Sequence, residues 1–288
     1  MKIATFTTAA LLLSATMALP MMALPAIAQP QSAAPANNQN AAAPTGQPTT
    51  TKKAPAPKTQ AEYDAYKAAS ARTDPAKLEA AATDFAQKFP DSELRAFLFQ
   101  QAMGLYQQAN NPDKTLDMAR TVLKYDPNNP VALLTAAQML AERTHDNDLD
   151  RKDRLAEANS DAQSALQHAG DIAPPANLTP EQFAAALAQI RGTAHEVFAT
   201  VAFKELDYNT AIKEFNAAAA EEKERTDPIV WLRLSVAYDK NGDYSAAMDA
   251  VEKAIAASQP EDQIHQLAEQ EKSRLEKLAP AAAKPASK

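Results

Sequence analysis

The stretch Trp231–Ala257 reads WLRLSVAYDKNGDYSAAMDAVEKAIAA. Thirty-six residues earlier, from His195, the chain reads HEVFATVAFKELDYNTAIKEFNAAA. Each stretch holds an Asp-Tyr pair, Asp243-Tyr244 and Asp207-Tyr208, and each places alanine four and eleven residues after the Asp: Ala247 and Ala254, Ala211 and Ala218. Apolar residues recurring at three or four positions describe one face of a helix. A repeat of 20–50 residues implies stacked units, each burying its face on the next. The fold class is therefore all-α, an α-solenoid of antiparallel helix pairs.

The flanking chain carries the same punctuation. Thr179-Pro180 with Gln182 forms a capping box with proline in the first turn. Phe183, Leu187, Ile190, Ala194, Phe198 and Val201 then mark one face of a long helix ending near Asp207 or Tyr208, and a second helix runs from about Asn209 to Glu222. Asp227-Pro228 starts the next helix, Asn241-Gly242 turns the chain, and the partner helix covers Tyr244 to Ala257.

In this register Trp231, Leu234, Ser235, Tyr238, Gly242, Asp243, Tyr244, Ala247, Val251 and Ala254 resemble the tetratricopeptide repeat, with Ser235 where glycine is usual and Val251 where phenylalanine is usual. Matching residues are His195, Phe198, Ala199, Ala202, Ala211, Phe215 and Ala218 in 192–225. In 96–129 they are Phe99, Ala102, Tyr106, Thr115 and Ala119. The unit from Pro130 holds Leu133, Ala137, Leu140, Ala158, Ala162 and Ala165. A degenerate first unit at 60–90 holds Tyr63, Tyr66, Leu78, Phe85 and Phe89. The resemblance spans about 61–258 and implies about five units, closed by a charged amphipathic capping helix over 260–278. Two interruptions, around THDNDLDRKDR after Arg143 and at DIAPPANLT from Asp171, mark where the array can bend or divide into 61–170 and 178–278.

The segments outside the repeats are of other kinds. Residues 1–28 pair a lone Lys2 with an uncharged apolar run and an Ala26-Ile27-Ala28 end, the pattern of a signal peptide cleaved after Ala28. This predicts export, to the periplasm or beyond, with membrane association only through the leader. Residues 29–60, rich in Pro, Ala, Gln, Asn and Thr, have no apolar period to bury and read as a disordered linker. Residues 279–288 read as a disordered tail.

Composition excludes several chemistries. The chain has 288 residues, a net charge of −7 and no cysteine. Loss of Lys2 with the leader leaves −8. There is no basic stripe of the kind nucleic-acid binding needs. Five scattered glycines build no phosphate loop, and the four histidines have no metal-ligand spacing. Asp146, Asp148, Asp150 and Glu157 follow the spacing of a calcium loop, but Arg151 stands where glycine is needed, and Lys152 and Arg154 oppose a cation. They read as an exposed mixed-charge loop. His195 and Trp231 read as core positions. No catalytic residue, cofactor or metal site is predicted.

The resemblance implies an inner groove lined by the first helix of each pair. Carried onto this chain, the partner-binding positions are Phe97, Gln100, Gln107, Gln138, Glu196, Thr200, Phe203, Leu232, Val236 and Asp239, with Gln108, Leu134, Glu142, Lys204 and Lys240 beside them. Phe97, Phe203 and Leu232 are expected as exposed anchors, and Gln100, Gln107 and Gln138 as amides for a bound main chain. The family's carboxylate clamp of Lys and Asn is absent: its places hold Gln100 and Gly104, Leu134 and Gln138, Glu196 and Thr200, Leu232 and Val236. The expected groove mixes apolar and amide groups, carries no concentrated charge, and suits a protein partner presenting an extended peptide or a helix. The resemblance thus implies an envelope scaffold. An accessory subunit held by its outer surface is the alternative, and an envelope hydrolase a third.

Overall fold

The computed structural model describes residues 55–175, 178–223 and 226–282. The predicted leader, the linker up to residue 54 and the tail from residue 283 lie outside them. The described residues form eleven α-helices and no strand. The helices are α1 (Gln60–Ser70), α2 (Pro75–Lys88), α3 (Leu94–Gln108), α4 (Pro112–Tyr125), α5 (Pro130–Arg143), α6 (Arg151–His168), α7 (Pro180–Lys204), α8 (Tyr208–Glu222), α9 (Pro228–Lys240), α10 (Tyr244–Ala257) and α11 (Gln263–Ala282). Each helix packs on its chain neighbours, and α1 also touches α3, α5 touches α7, and α9 touches α11. The odd-numbered helices therefore share one side of an α-solenoid.

Local chemistry sets the helix boundaries. Five helices start at a side-chain cap followed by proline: Asp74-Pro75, Asn111-Pro112, Asn129-Pro130, Thr179-Pro180 and Asp227-Pro228. The cap oxygen accepts an otherwise unpaired N–H, and the proline occupies a position whose N–H would have no partner. The capping box at Thr179 forms as expected, with Gln182 Oε1 accepting from the Thr179 N–H at 2.9 Å.

Three turns within pairs are built alike. The residues after α3, α7 and α9 in the left-handed region are Asn110, Leu206 and Gly242. In each, the next N–H reaches back five residues: Asn111 to the Tyr106 carbonyl, Asp207 to Ala202, Asp243 to Tyr238. That is the Schellman geometry, and the residue that closes it then caps the next helix. Asn and Gly tolerate the left-handed conformation. Leu206 does not, and it is 70% exposed, so packing does not compensate its strain.

The core is made at alanines. Ala211, Ala237, Ala247 and Ala254 are fully buried, as are Ala102, Ala119, Ala158, Ala162 and Ala165. Small side chains at the crossings let paired helices approach closely, and the larger Leu78, Leu98, Leu155, Phe215 and Leu234 fill the space between. Ser235 is fully buried and donates to the Ala247 carbonyl at 2.8 Å.

The array does not divide at 170–178. Ile190, Ala194, Val197 and Val201 of α7 join the α5–α6 core, while Ala199 and Ala202 of the same helix join the α8–α11 core. The insertion after α5 is absorbed at the surface. Lys204 Nζ donates to the carbonyls of Glu142, at 3.2 Å, and Thr144, and the Arg151 guanidinium donates to the Lys204 carbonyl. The capping helix α11 packs on α9 and α10 and buries Ala268 and Leu275.

Two stability changes follow from this packing. Ala247→Leu should overpack the α9–α10 crossing at Ser235 and lower unfolding free energy by about 1–3 kcal/mol. Leu206→Asn should raise it by about 1 kcal/mol by relieving the left-handed leucine. Urea unfolding of each variant checks both, and a parent-like Ala247→Leu curve would contradict the repeat register.

Candidate functional site

The side shared by α5, α7 and α9 holds a buried charge cluster. Arg233 of α9 reaches past α7 to the end of α5, where its Nη2 lies 3.1 Å from Glu142 Oε1. These side chains are 11% and 10% exposed. Arg233 Nη1 is 4.0 Å from Oε2 of Glu196, on the intervening α7. Gln138, Ala141, Val197 and Thr200 complete the walls of a narrow crevice with room for about one water.

The two carboxylates are unequal. Glu142 takes the short contact with the guanidinium. Glu196 is 3% exposed, and its Oε1 is buried without a hydrogen-bond partner. Burial pushes its carboxyl up to about 8, against the attraction of Arg233 and with the repulsion of Glu222, Asp227 and Glu142. Glu196 therefore holds a proton at neutral pH, because a second charge beside one shared guanidinium is too poorly solvated to persist. Lys204, at the edge of this cluster, has its amine pushed down, chiefly by burial.

The predicted groove residues divide between this cluster and other roles. Gln138, Glu196 and Thr200 come together in the crevice. Val236 stands half-buried one turn beyond Arg233. Leu232 is not an exposed anchor: it is 4% exposed within the α8–α11 core, because α9 is covered by α8, α10 and α11 at once. Phe97 and Phe203 are half-buried against the cores, and Phe203 meets Tyr208 edge-on at 5.4 Å. Gln100 already accepts from Asn129 Nδ2 at 3.2 Å, and Gln107 is half-buried on α3. The Asp239 side chain is 7% exposed and lies 2.7 Å from Arg274 Nη2 of α11, so the capping helix closes that end of the groove.

The expectation of a groove without concentrated charge is also corrected, since Glu142, Glu196 and Arg233 gather there. Arg233 was the residue missed. Its sequence signal is a cation placed among Ile229, Val230, Leu232 and Leu234, all of them buried. Such a charge must find a partner, but the partner's position 91 residues away is set by how the units stack.

The remaining candidates have plain roles. Asp148 accepts from the His145 N–H at 2.8 Å and sits 3.5 Å from Arg154, while Asp146 lies 3.6 Å from Arg151. The acidic loop is thus tied to its own arginines. His195 Nδ1 pairs with Glu214 at 2.7 Å. Trp231 is half-buried, with the Lys253 ammonium 4.6 Å from its ring centre.

No family model matches the chain, and no curated protein is similar to it. Among solved structures it is similar to a tetratricopeptide repeat protein from Parabacteroides merdae, at 16% identity over 77% of this chain and 95% of that one, with a TM-score of 0.35. At that TM-score the likeness carries no argument about this chain.

The buried carboxyl makes stability depend on pH. Glu196 binds its proton more tightly in the folded chain than at its ordinary 4.5. The stability this contributes is full below about 4.5 and is lost as pH rises toward about 8. Thermal melts of the parent should fall across that window, and Glu196→Gln, which cannot ionise, should flatten the decline.

Proposed function

We propose that the chain is an exported scaffold that holds a protein partner on the side formed by its odd-numbered helices. The observation that carries this reading is that helices of that side keep apolar side chains half-buried: Phe97 on α3, Phe203 on α7 and Val236 on α9. A partner can complete the burial of these apolar side chains without rearranging the helices, so little ordering cost opposes binding. The leader's small-residue cleavage pattern supports the cell envelope as the place of action.

A second reading has its own observation. Arg233–Glu142 and Arg274–Asp239 bridge the groove toward its C-terminal half and narrow it. An accessory subunit held by its outer surface would need no open groove.

Capture from an envelope extract with residues 61–278 separates the two. Val236→Asp is expected to weaken recovery of a specific partner by about 2 kcal/mol in affinity if that side is the hot spot, while Lys213→Glu, at a highly exposed side chain on α8, leaves it unchanged. The opposite pattern would assign binding to the outer surface.

A further inference from the structure

Among the described residues, the large apolar side chains that stand exposed are Tyr125, Leu149 and Leu206. Tyr125 is engaged: its ring stacks on Phe99 at 5.6 Å, and the Arg95 guanidinium lies 4.5 Å from its centre. The leucines differ. Leu149, in the loop between α5 and α6, is fully exposed, and Leu206, in the turn between α7 and α8, is 70% exposed. A hydrogen bond ties these two connections together, from the Arg151 guanidinium to the Lys204 carbonyl. Leu149 lies two residues before Arg151, and Leu206 two residues after Lys204. Asp146 and Asp148 of the first loop also interact electrostatically with the Lys204 amine.

Neither leucine is a loose end. The His145 N–H donates to Asp148 Oδ2 at 2.8 Å, the Arg151 N–H donates to the Asp148 carbonyl at 3.2 Å, and Arg154 lies 3.5 Å from Asp148. The chain is thus held on both sides of Leu149 while the side chain stands in solvent. Leu206 is held in its Schellman turn at a φ of 66°. Asn110 and Gly242 fill the same place in the other two turns, so the turn itself has no need of leucine, and the exposed side chain adds nothing to the core. Apolar area that is exposed, fixed in place and set at a cost to the backbone marks a surface that a partner covers. Because both connections are already ordered, little further ordering opposes its burial.

The surroundings narrow the partner's chemistry. In the same two connections Asp146, Asp150, Asp153, Glu205 and Asp207 are exposed, against Lys152. Arg151 and Arg154 are drawn in to the loop's own acids, 3.6 Å from Asp146 and 3.5 Å from Asp148. A lipid surface rich in anionic headgroups attracts basic segments and repels such acids. An apolar face flanked by lysines gains twice, from leucine burial and from the carboxylates. An amphipathic helix presents that combination on one side.

We propose that the α5–α6 loop and the α7–α8 turn form a second docking surface, at the edge of the solenoid, for a basic amphipathic helix of a protein partner. Leu149 and Leu206 meet its apolar face, and the exposed acids meet its lysines. Both leucines lie in connections between helices, so this surface does not depend on the inner groove being open.

The probe is a fluorescent peptide of leucine and lysine, about 18 residues or five helical turns long, with its leucines on one face. A scrambled peptide of the same composition has no such face. Anisotropy titration against the full chain should give saturable binding of the first peptide and much weaker binding of the second. Leu149→Ser and Leu206→Asn should each weaken the first about tenfold or more, from the leucine burial lost. Leu206→Asn is the decisive variant: it relieves the left-handed leucine, so a chain that melts no lower than the parent yet loses the peptide has lost a contact, not its fold. Added salt should weaken the parent's binding by screening lysine from the acids. Equal binding of the two peptides, or leucine variants that bind like the parent, would overturn the surface, since charge alone would then suffice. Loss on only one of the two substitutions would overturn the joint surface. A peptide lost on Val236→Asp but indifferent to both leucines would overturn it in favour of the inner groove. Binding of the parent to neutral phosphatidylcholine vesicles, abolished by both leucine substitutions, would overturn the protein partner and assign the leucines to a lipid surface.

Discussion

Close approach of helices at alanine is the constraint on which the rest of the structure depends. Ala211, Ala218, Ala247 and Ala254 have essentially no exposed surface, and a side chain larger by even one methylene would separate the paired helices there. The approach leaves little room for polar groups, so those that enter must be satisfied on the spot. Ser235 does this with the Ala247 carbonyl, and Thr144 and Thr226 do it by bonding back to Leu140 and Ala219. The charged residues on the inner side do not all manage it. The cluster at Arg233 is where the packing rule and the inner-face charges meet.

The pairs were legible in the sequence because their signals are local. Asp-Pro and Asn-Pro starts, the capping box at Thr179, and alanines four and eleven residues after an aspartate all act within one or two turns of helix. They hold whatever the neighbours do. The turn at Leu206 shows the limit of that logic. Its place is set by the same spacing that puts Asn110 and Gly242 in their turns, yet nothing local favours leucine there. The tertiary repeat imposes a left-handed conformation on a residue that resists it.

The groove was less legible, for a physical reason. Which face of an inner helix stays open depends on how many neighbours cover it, and that number changes along the array. Leu232 occupies the same place in its unit as Gln100 does in an earlier one, but α11 packs on α9 and closes the space around it. Asp239 is likewise taken by Arg274. A capping helix that ends a solenoid with a polar outer face thus withdraws part of the last unit's inner surface. The charge cluster was beyond the reach of spacing arguments, because its pairing crosses 91 residues.

The insertion and the cluster meet at the end of α5. Lys204 bonds the Glu142 and Thr144 carbonyls and so fixes the last turn of that helix, the turn whose Glu142 side chain receives Arg233. The guanidinium is therefore anchored to a carboxylate whose backbone is itself held from α7. A buried ion pair adds little net stability once desolvation is counted, but it does fix distance. Here it spans α5 and α9 across α7, and it sets the separation of units that are not neighbours in the chain. Glu196 sits at the limit of that bridge, 4.0 Å from Arg233. Burial raises its carboxyl, so the shorter Glu142 contact is the one that carries the pairing with Arg233.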